Sequence, residues 1–181
     1  MADGSEEDHE IMAAVARGDT GAFRRLVDRH AGWGVGFVER MLGGRADAED
    51  LVQTAFLRVW QGAAAWEPAA RFRTWFYRVL YNLCMDHFRA NAMPTEEVDE
   101  ELPDGRPDGE ATFAAAQRAD RVRAAIAGLP ARQRAAIVLC YYQELSQADA
   151  AATLGVSEGA LESLLSRGRA ALKKSMQREL H

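Results

Sequence analysis

The chain has 181 residues and a net charge of −5, which allows one compact domain or two small ones. Hydrophobic residues make up 48% and charged residues 27%, a balance that places it with folded soluble proteins rather than with disordered ones. No Lys or Arg precedes Ile11, and no stretch approaches the roughly 20 apolar residues of a membrane span. No secretory signal is therefore expected, and the expected location is the cytoplasm.

The only cysteines, Cys84 and Cys140, fall within predicted helices among apolar neighbours, so buried thiols are expected rather than a disulfide. His9, His30, His87 and His181 are scattered and form no metal-spaced cluster with them. No metal and no cofactor are expected. The charge is unevenly spread: residues 1–90 sum to −2, residues 91–110 to −7 and residues 111–181 to +4. Ends of opposite sign point to two modules with different surfaces.

The first ten residues are polar and are expected to fray. Ile11–Arg17 predicts a short helix ended by Gly18. A second helix, capped by Asp19 or Thr20, carries Phe23, Leu26, Val27 and His30 at helical spacing. It runs on through Phe37, Val38 and Met41, weakened at Gly32, Gly34 and Gly36 and stopped by Gly43 and Gly44. The next helix opens at Asp47 with acids that suit the positive end of its dipole. Its inner face is Val52, Ala55, Phe56 and Val59, and its outer face Asp50, Gln53, Thr54, Leu57 and Arg58. Leu57 is an apolar residue on a polar side.

Residues 63–70, with Trp66 and Pro68, read as a loop. A long helix follows from Arg71 to about Ala90, with Phe72, Phe76, Val79, Leu80 and Leu83 as its buried stripe. Its other side carries Arg73 or Thr74, Tyr77, Arg78, Tyr81, Asn82 and Met85. Aromatics interleaved with arginines suit unstacked bases and phosphates; by pattern alone, packing against protein is the more economical reading. Residues 91–110 hold three prolines, two glycines and eight acids, too little apolar surface to order itself, and read as a linker.

The last segment predicts a helix from Ala111 to Ile126 and another with Pro130 as its first residue. A short helix capped by Ser146 follows, with Asp149 in the capping-box position and Gly155 at its end. Ser157 caps a final helix, Glu158 to Arg178. A short alanine-rich helix, a glycine turn and a longer helix form the helix-turn-helix pattern. Leu161, Leu165, Gly168 and Leu172 would pack inward. Ser157, Glu158, Glu162, Ser163, Ser166 and Arg167 would face a major groove, with Arg132, Arg134, Arg169, Lys173 and Lys174 near phosphates. A basic helical end can also be only a solvated face; the turn, the caps and the charge together favour DNA. No segment alternates as a strand does. The expected fold is all-α: two helical domains, 8–90 and 111–178, joined by the acidic linker 91–110.

Two stretches resemble a known family. DAEDLVQTAFLRVW (47–60) with FRTWFYRVLYNLCMDHFR (72–89) is similar to the polymerase-binding and −10-recognising domain of sigma-70 proteins. LPARQRAAIVLCYYQELSQADAAATLGVSEGALESLLSRGRAALKK (129–174) is similar to their −35-binding domain. The order and the absence of other domains resemble the extracytoplasmic-function (ECF) group. The resemblance implies core RNA polymerase as a partner of Asp50, Gln53, Leu57 and Arg58. It implies capture of the melted −10 strand by Trp66, Arg73, Trp75, Tyr77, Arg78 and Asn82, although Trp75 suits a core position equally well. It implies −35 duplex contact by Arg132, Ser157, Glu158, Glu162, Ser163, Ser166, Arg167 and Lys173, and restraint by an anti-sigma factor. Such a chain is not an enzyme, and no paired histidines, cysteines or glycine-rich phosphate loop suggests one. Glu162 and Leu164 flank Ser163 where the family often has a basic residue and an arginine. Glu162 suits a cytosine N4 donor but repels phosphate, and Leu164 would touch a thymine methyl or a protein. The departure keeps a promoter-blind decoy in play. A dimeric regulator would need a dimerisation helix, and none is evident.

Overall fold

A computed structural model describes residues 3–67, 71–91 and 110–178. Eight α-helices follow in chain order: α1 Asp3–Ala16, α2 Thr20–Leu42, α3 Ala46–Gly62, α4 Phe72–Asn91, α5 Glu110–Ala127, α6 Ala131–Ile137, α7 Gln147–Leu154 and α8 Glu158–Arg178. A 3-10 turn, Ala63–Ala65, extends α3, and a π turn, Val138–Tyr142, extends α6. The described residues contain no strand, as expected. None of their helices is long and apolar enough to cross a membrane. All but the ends of the expected linker lies outside the described residues.

The amino-terminal bundle is built by α1 to α4 around Met12, Leu26, Phe37, Met41, Val59, Phe72, Phe76 and Leu80, all buried. The inner face expected for α3 is buried as well. Phe76 sits in the aromatic centre, its ring 4.7 Å from that of Phe56 and 5.6 Å from that of Phe72. The Asp19 carboxylate accepts the Ala22 N–H at 2.9 Å and caps α2. That bond holds its pKa below the ordinary value. The cap is therefore intact above the usual carboxylate pKa and weakens as pH falls through the lowered one.

Residues 3–10, expected to fray, are helical, because α1 begins at Asp3. Asp8 explains why. It is buried, and its carboxylate accepts Arg29 Nε at 3.0 Å and meets His30 Nε2 at 3.0 Å. A polar residue that looks soluble in sequence is here the tie between α1 and α2. The three glycines do not interrupt α2 either. A Cβ at Gly34 would lie 3.3 Å from Phe76 and 3.4 Å from Leu80 and Val52. The missing side chain is what lets α2 approach α3 and α4. Pro130 stands one residue earlier than expected, as the extended residue before α6.

The carboxyl-terminal helices pack on Ala135, Ile137, Leu139, Ala151, Leu161 and Leu165. Gly155 turns the chain between α7 and α8 at φ 64°, in the left-handed region that glycine tolerates. Gly168 lies under α6, where a Cβ would come within 3.0 Å of Ile137. The two domains do not stand apart. Their buried residues form one continuous hydrophobic cluster, with α4 against α7 and α2 against α5.

Gly34→Val should lower unfolding stability by about 1–3 kcal/mol, the usual cost of overpacking. Gly32→Ala, in the same helix with nothing within 4 Å of the new Cβ, should raise it by about 0.5–1 kcal/mol. Urea denaturation of both variants checks the contrast.

Candidate nucleic-acid and polymerase interfaces

Three surfaces carry the residues singled out from sequence. On α3, Asp50, Gln53, Leu57 and Arg58 are all exposed, while Val52, Ala55, Phe56 and Val59 behind them are buried. Leu57 is 59% exposed, the highest value among the exposed large hydrophobics. Leu57 is not among the residues packed against the core, an apolar side chain on a polar face.

On α4 the expected residues divide. Arg78 and Asn82 are exposed. Trp75 is half-buried, its ring 5.9 Å from that of Phe72, at the margin of the core. Trp66 is half-buried against the His9 ring at 5.3 Å. Tyr77 is not on an open face. It is 1% exposed, and its hydroxyl donates to Gln143 Oε1 at 2.6 Å. Burial pushes its phenol above the ordinary pKa, and Arg73 partly opposes that shift. The Arg73 guanidinium lies 4.4 Å over the Trp33 ring and donates to the Gln143 carbonyl. Tyr81 and Thr74 are buried too. The Thr74 hydroxyl donates to Asp149 Oδ1 at 3.1 Å, and that of Thr153 reaches the Thr74 carbonyl at 3.5 Å. The Thr74 and Tyr77 side of the helix is therefore covered by the other domain, while Arg78 and Asn82 stay exposed.

The helix-turn-helix has the expected caps. The Ser146 hydroxyl oxygen accepts the Asp149 N–H at 3.1 Å, and its hydrogen goes to Asp149 Oδ2 at 2.6 Å. The Ser157 hydroxyl accepts Ala160 N–H at 3.2 Å. Leu161 and Leu165 are buried, as is Gly168, and Leu172 is partly buried against the core. Ser157, Glu158, Glu162, Ser163, Ser166, Arg167 and Lys173 are exposed, as is Arg132 on α6. Leu164 is partly exposed and packs against the core. One expectation needs correction. Arg134 is no free phosphate ligand: its guanidinium donates to the carbonyls of Met41, Ala127 and Leu129 and lies 5.6 Å from the Phe88 ring centroid. Burial lowers its pKa. It ties the end of α2 to the start of α6.

Sequence reasoning passed over Trp33, Gln143 and Thr153. Trp33 stands between two glycines and is 49% exposed, with Arg73 stacked on it; an aromatic in that setting was a usable signal. Nothing local marks Gln143. Both cysteines are free; burial drives Cys84 to about 12 and raises Cys140, leaving neither as a ready thiolate. Among the described residues no three His, Cys, Asp or Glu side chains are grouped to hold a metal.

Comparison with known proteins decides the family. The sigma-70 region 2 family model matches residues 26–93, and that of sigma-70 region 4 matches residues 119–172. The chain is 34% identical to the ECF RNA polymerase sigma factor SigM of Mycobacterium tuberculosis, over 92% of this chain and 83% of that protein. It is 30% identical to SigW of Bacillus subtilis over 90% and 93%. The chain belongs to the ECF RNA polymerase sigma factors of the sigma-70 family. A solved structure of CnrH in complex with the cytosolic domain of CnrY matches with a TM-score of 0.72 at 29% identity, over 95% of this chain and 98% of that one. CnrH is an RNA polymerase sigma factor of Cupriavidus metallidurans. A Bartonella quintana sigma factor, RpoE, solved with the anti-sigma factor NepR, shares the fold at a TM-score of 0.60 and 21% identity, over 98% of each chain. Region 2 thus spans most of α2 through α4, and region 4 runs from the middle of α5 into α8 of this sigma factor. A sigma factor is not an enzyme.

Arg134→Met should cost about 1.5–3 kcal/mol, because it removes charge-assisted bonds and leaves three carbonyls short of a donor. Arg132→Met, on the exposed side of the same helix, should change stability by less than about 0.5 kcal/mol. Urea midpoints distinguish the two.

Proposed function

We propose that this sigma factor docks on core RNA polymerase through the α3 face of Asp50, Gln53, Leu57 and Arg58. In this reading α4 and the Trp66 turn capture the unpaired −10 strand, and α8 holds the −35 duplex. The exposed Leu57 carries the proposal: an apolar side chain kept in water on the region 2 helix has no role within the bundle. Strand capture rests on the exposed Arg78 and Asn82 and the half-buried Trp75, where a ring can stack on a base while a cation holds phosphate; Arg73 and Tyr77, both held by Gln143, are not open to a base in this arrangement. Trapping unpaired bases shifts the duplex toward its open form without hydrolysis by this chain. Two tethered contacts raise the effective concentration of each domain at its site.

The capping Ser157 and, on α8, Glu158, Glu162, Ser163, Ser166 and Arg167 are exposed and are the residues that would meet the groove. Lys173 and Arg132 stand where phosphates would pass. Glu162 would select a cytosine N4 donor at the groove. CnrH was solved with the cytosolic domain of CnrY, and RpoE of the same fold with the anti-sigma factor NepR; we propose restraint by an anti-sigma factor here. A promoter-blind decoy would bind such a partner and direct no transcripts.

Run-off transcription with purified core polymerase on genomic fragments tests the reading; defined start sites are expected, and none would favour the decoy. Asp50→Ala with Leu57→Ala should weaken core binding by about tenfold or more, the loss typical of interface anchors. Titration against labelled core reads the change; undiminished affinity would refute the docking face. Lys173→Ala should weaken binding to all duplexes alike and flatten the salt dependence by about one counterion. Anisotropy at several salt concentrations measures the slope.

A further inference from the structure

Two features of α2 weaken the fold, and nothing in its packing explains them. Gly32 is exposed in mid-helix, and a Cβ there would meet nothing within 4 Å. A close approach accounts for Gly34 but not for Gly32, and an exposed glycine inside a helix destabilises it. Trp33 beside it is 49% exposed, with Arg73 over one face of its ring at 4.4 Å. A large aromatic left in water stabilises little. Both residues line a groove of about 400 Å³, together with Asp28, Gly36, Arg40 and Tyr142. Local choices that break the rules of a helix without a packing reason are expected at sites of use.

Asp28, Gly32, Gly36 and Arg40 recur at every fourth residue and form one ridge of α2. The ridge has a carboxylate at one end, a cation at the other and no side chain between. Asp28 is exposed and has no ion pair among the described residues. Arg40 folds back over Gly36: its Nη1 donates to the Gly36 carbonyl at 2.7 Å, and a Cβ at Gly36 would lie 3.1 Å from that nitrogen. The same guanidinium lies 4.6 Å from the Tyr142 ring centroid. Its other N–H donors are of the kind that grips phosphate in pairs. Twelve residues of helix rise about 18 Å, and the backward fold of Arg40 takes off about one turn. That leaves roughly 12 Å between carboxylate and guanidinium, floored by glycine backbone. A nucleoside monophosphate, from base edge to phosphate, has a comparable span.

We propose that this groove binds a guanine nucleotide. The flat base lies against the Trp33 ring, over a floor that only glycine leaves clear. Asp28 reads its edge. A carboxylate has two acceptor oxygens side by side, and guanine alone among the DNA bases presents two adjacent donor groups, N1–H and N2–H2. Adenine presents one amino group there. The phosphate reaches Arg40. The groove lies on α2, apart from the α3, α4 and α8 surfaces, and does not depend on the strand capture proposed above. The nucleotide can be free, or an unpaired guanine within a strand; both offer the same base and phosphate.

Nuclear magnetic resonance on the isotope-labelled full chain reads the groove directly. Trp33→Phe identifies the indole N–H signal of Trp33 among the four tryptophans. GMP should shift that signal saturably, with a Kd below about 1 mM. AMP should bind about tenfold more weakly or worse, the discrimination of a paired base edge, and Asp28→Ala should bring the two affinities together. Trp33→Ala should weaken GMP binding by about tenfold or more, the loss typical of a stacked base. Gly32→Leu fills the floor and should abolish binding, with circular dichroism and urea midpoint at or above those of the wild type. That variant decides the matter should Trp33→Ala unfold. A second arm uses a thymine oligodeoxynucleotide with one central guanine. A shift with GMP assigns the groove to free nucleotide, and a shift with the oligonucleotide alone assigns it to a guanine held in a strand. A Trp33 signal unmoved by either overturns the site, as does binding that survives Gly32→Leu. AMP binding as tightly as GMP overturns the choice of guanine. Failure to bind core polymerase would instead strike the proposed function and leave the groove standing.

Discussion

A buried phenol must give its hydrogen to an acceptor, and the acceptor that Tyr77 finds belongs to the other domain. That one requirement organises the protein. Tyr77 lies between the T-shaped contact with Phe37 at 5.3 Å and the Gln143 amide, so α4 is held from both sides at the same residue. Were region 4 removed, the hydroxyl and the face around it would return to water.

The seam has two parts with different chemistry. Around Tyr77, hydroxyls, an amide and a carboxylate pair within the hydrophobic cluster that runs through both domains. Near the end of α2 it is made by Arg134, whose guanidinium serves three carbonyls at helix ends. Two of those carbonyls, Ala127 and Leu129, lie in region 4 itself and one, Met41, in region 2. Most of what Arg134 holds therefore survives separation of the domains, and one bond does not. The same logic applies to Arg73, which keeps its Trp33 ring in region 2 while it borrows the Gln143 carbonyl.

Much of this was legible in the sequence because local rules dominate helical proteins. Apolar spacing located α2, α3, α4 and α8, and the caps at Asp19, Ser146 and Ser157 marked the starts of α2, α7 and α8. The exposed Leu57 was legible as a break in its own pattern. What stayed hidden depended on partners distant in the chain. Asp8 reads as soluble until Arg29 and His30 are placed beside it. Gly34 reads as a helix weakener until Phe76 lies against it. Arg134 reads as a phosphate ligand until the end of α2 arrives. Tyr77 and Thr74 read as an open face because the sequence spacing of α4 reports only the helix, whereas Gln143 and Asp149 come from 66 and 75 residues further along. No periodicity within a helix can report a domain that closes over it.

Hydroxyl-radical footprinting of the free full-length chain, resolved to single side chains by mass spectrometry, tests the central claim most directly. Tyr141, which is 53% exposed, should oxidise readily, while Tyr77 at 1% should be protected to the degree of the fully buried Phe37. Tyr77 reacting as fast as Tyr141 would contradict the closed seam.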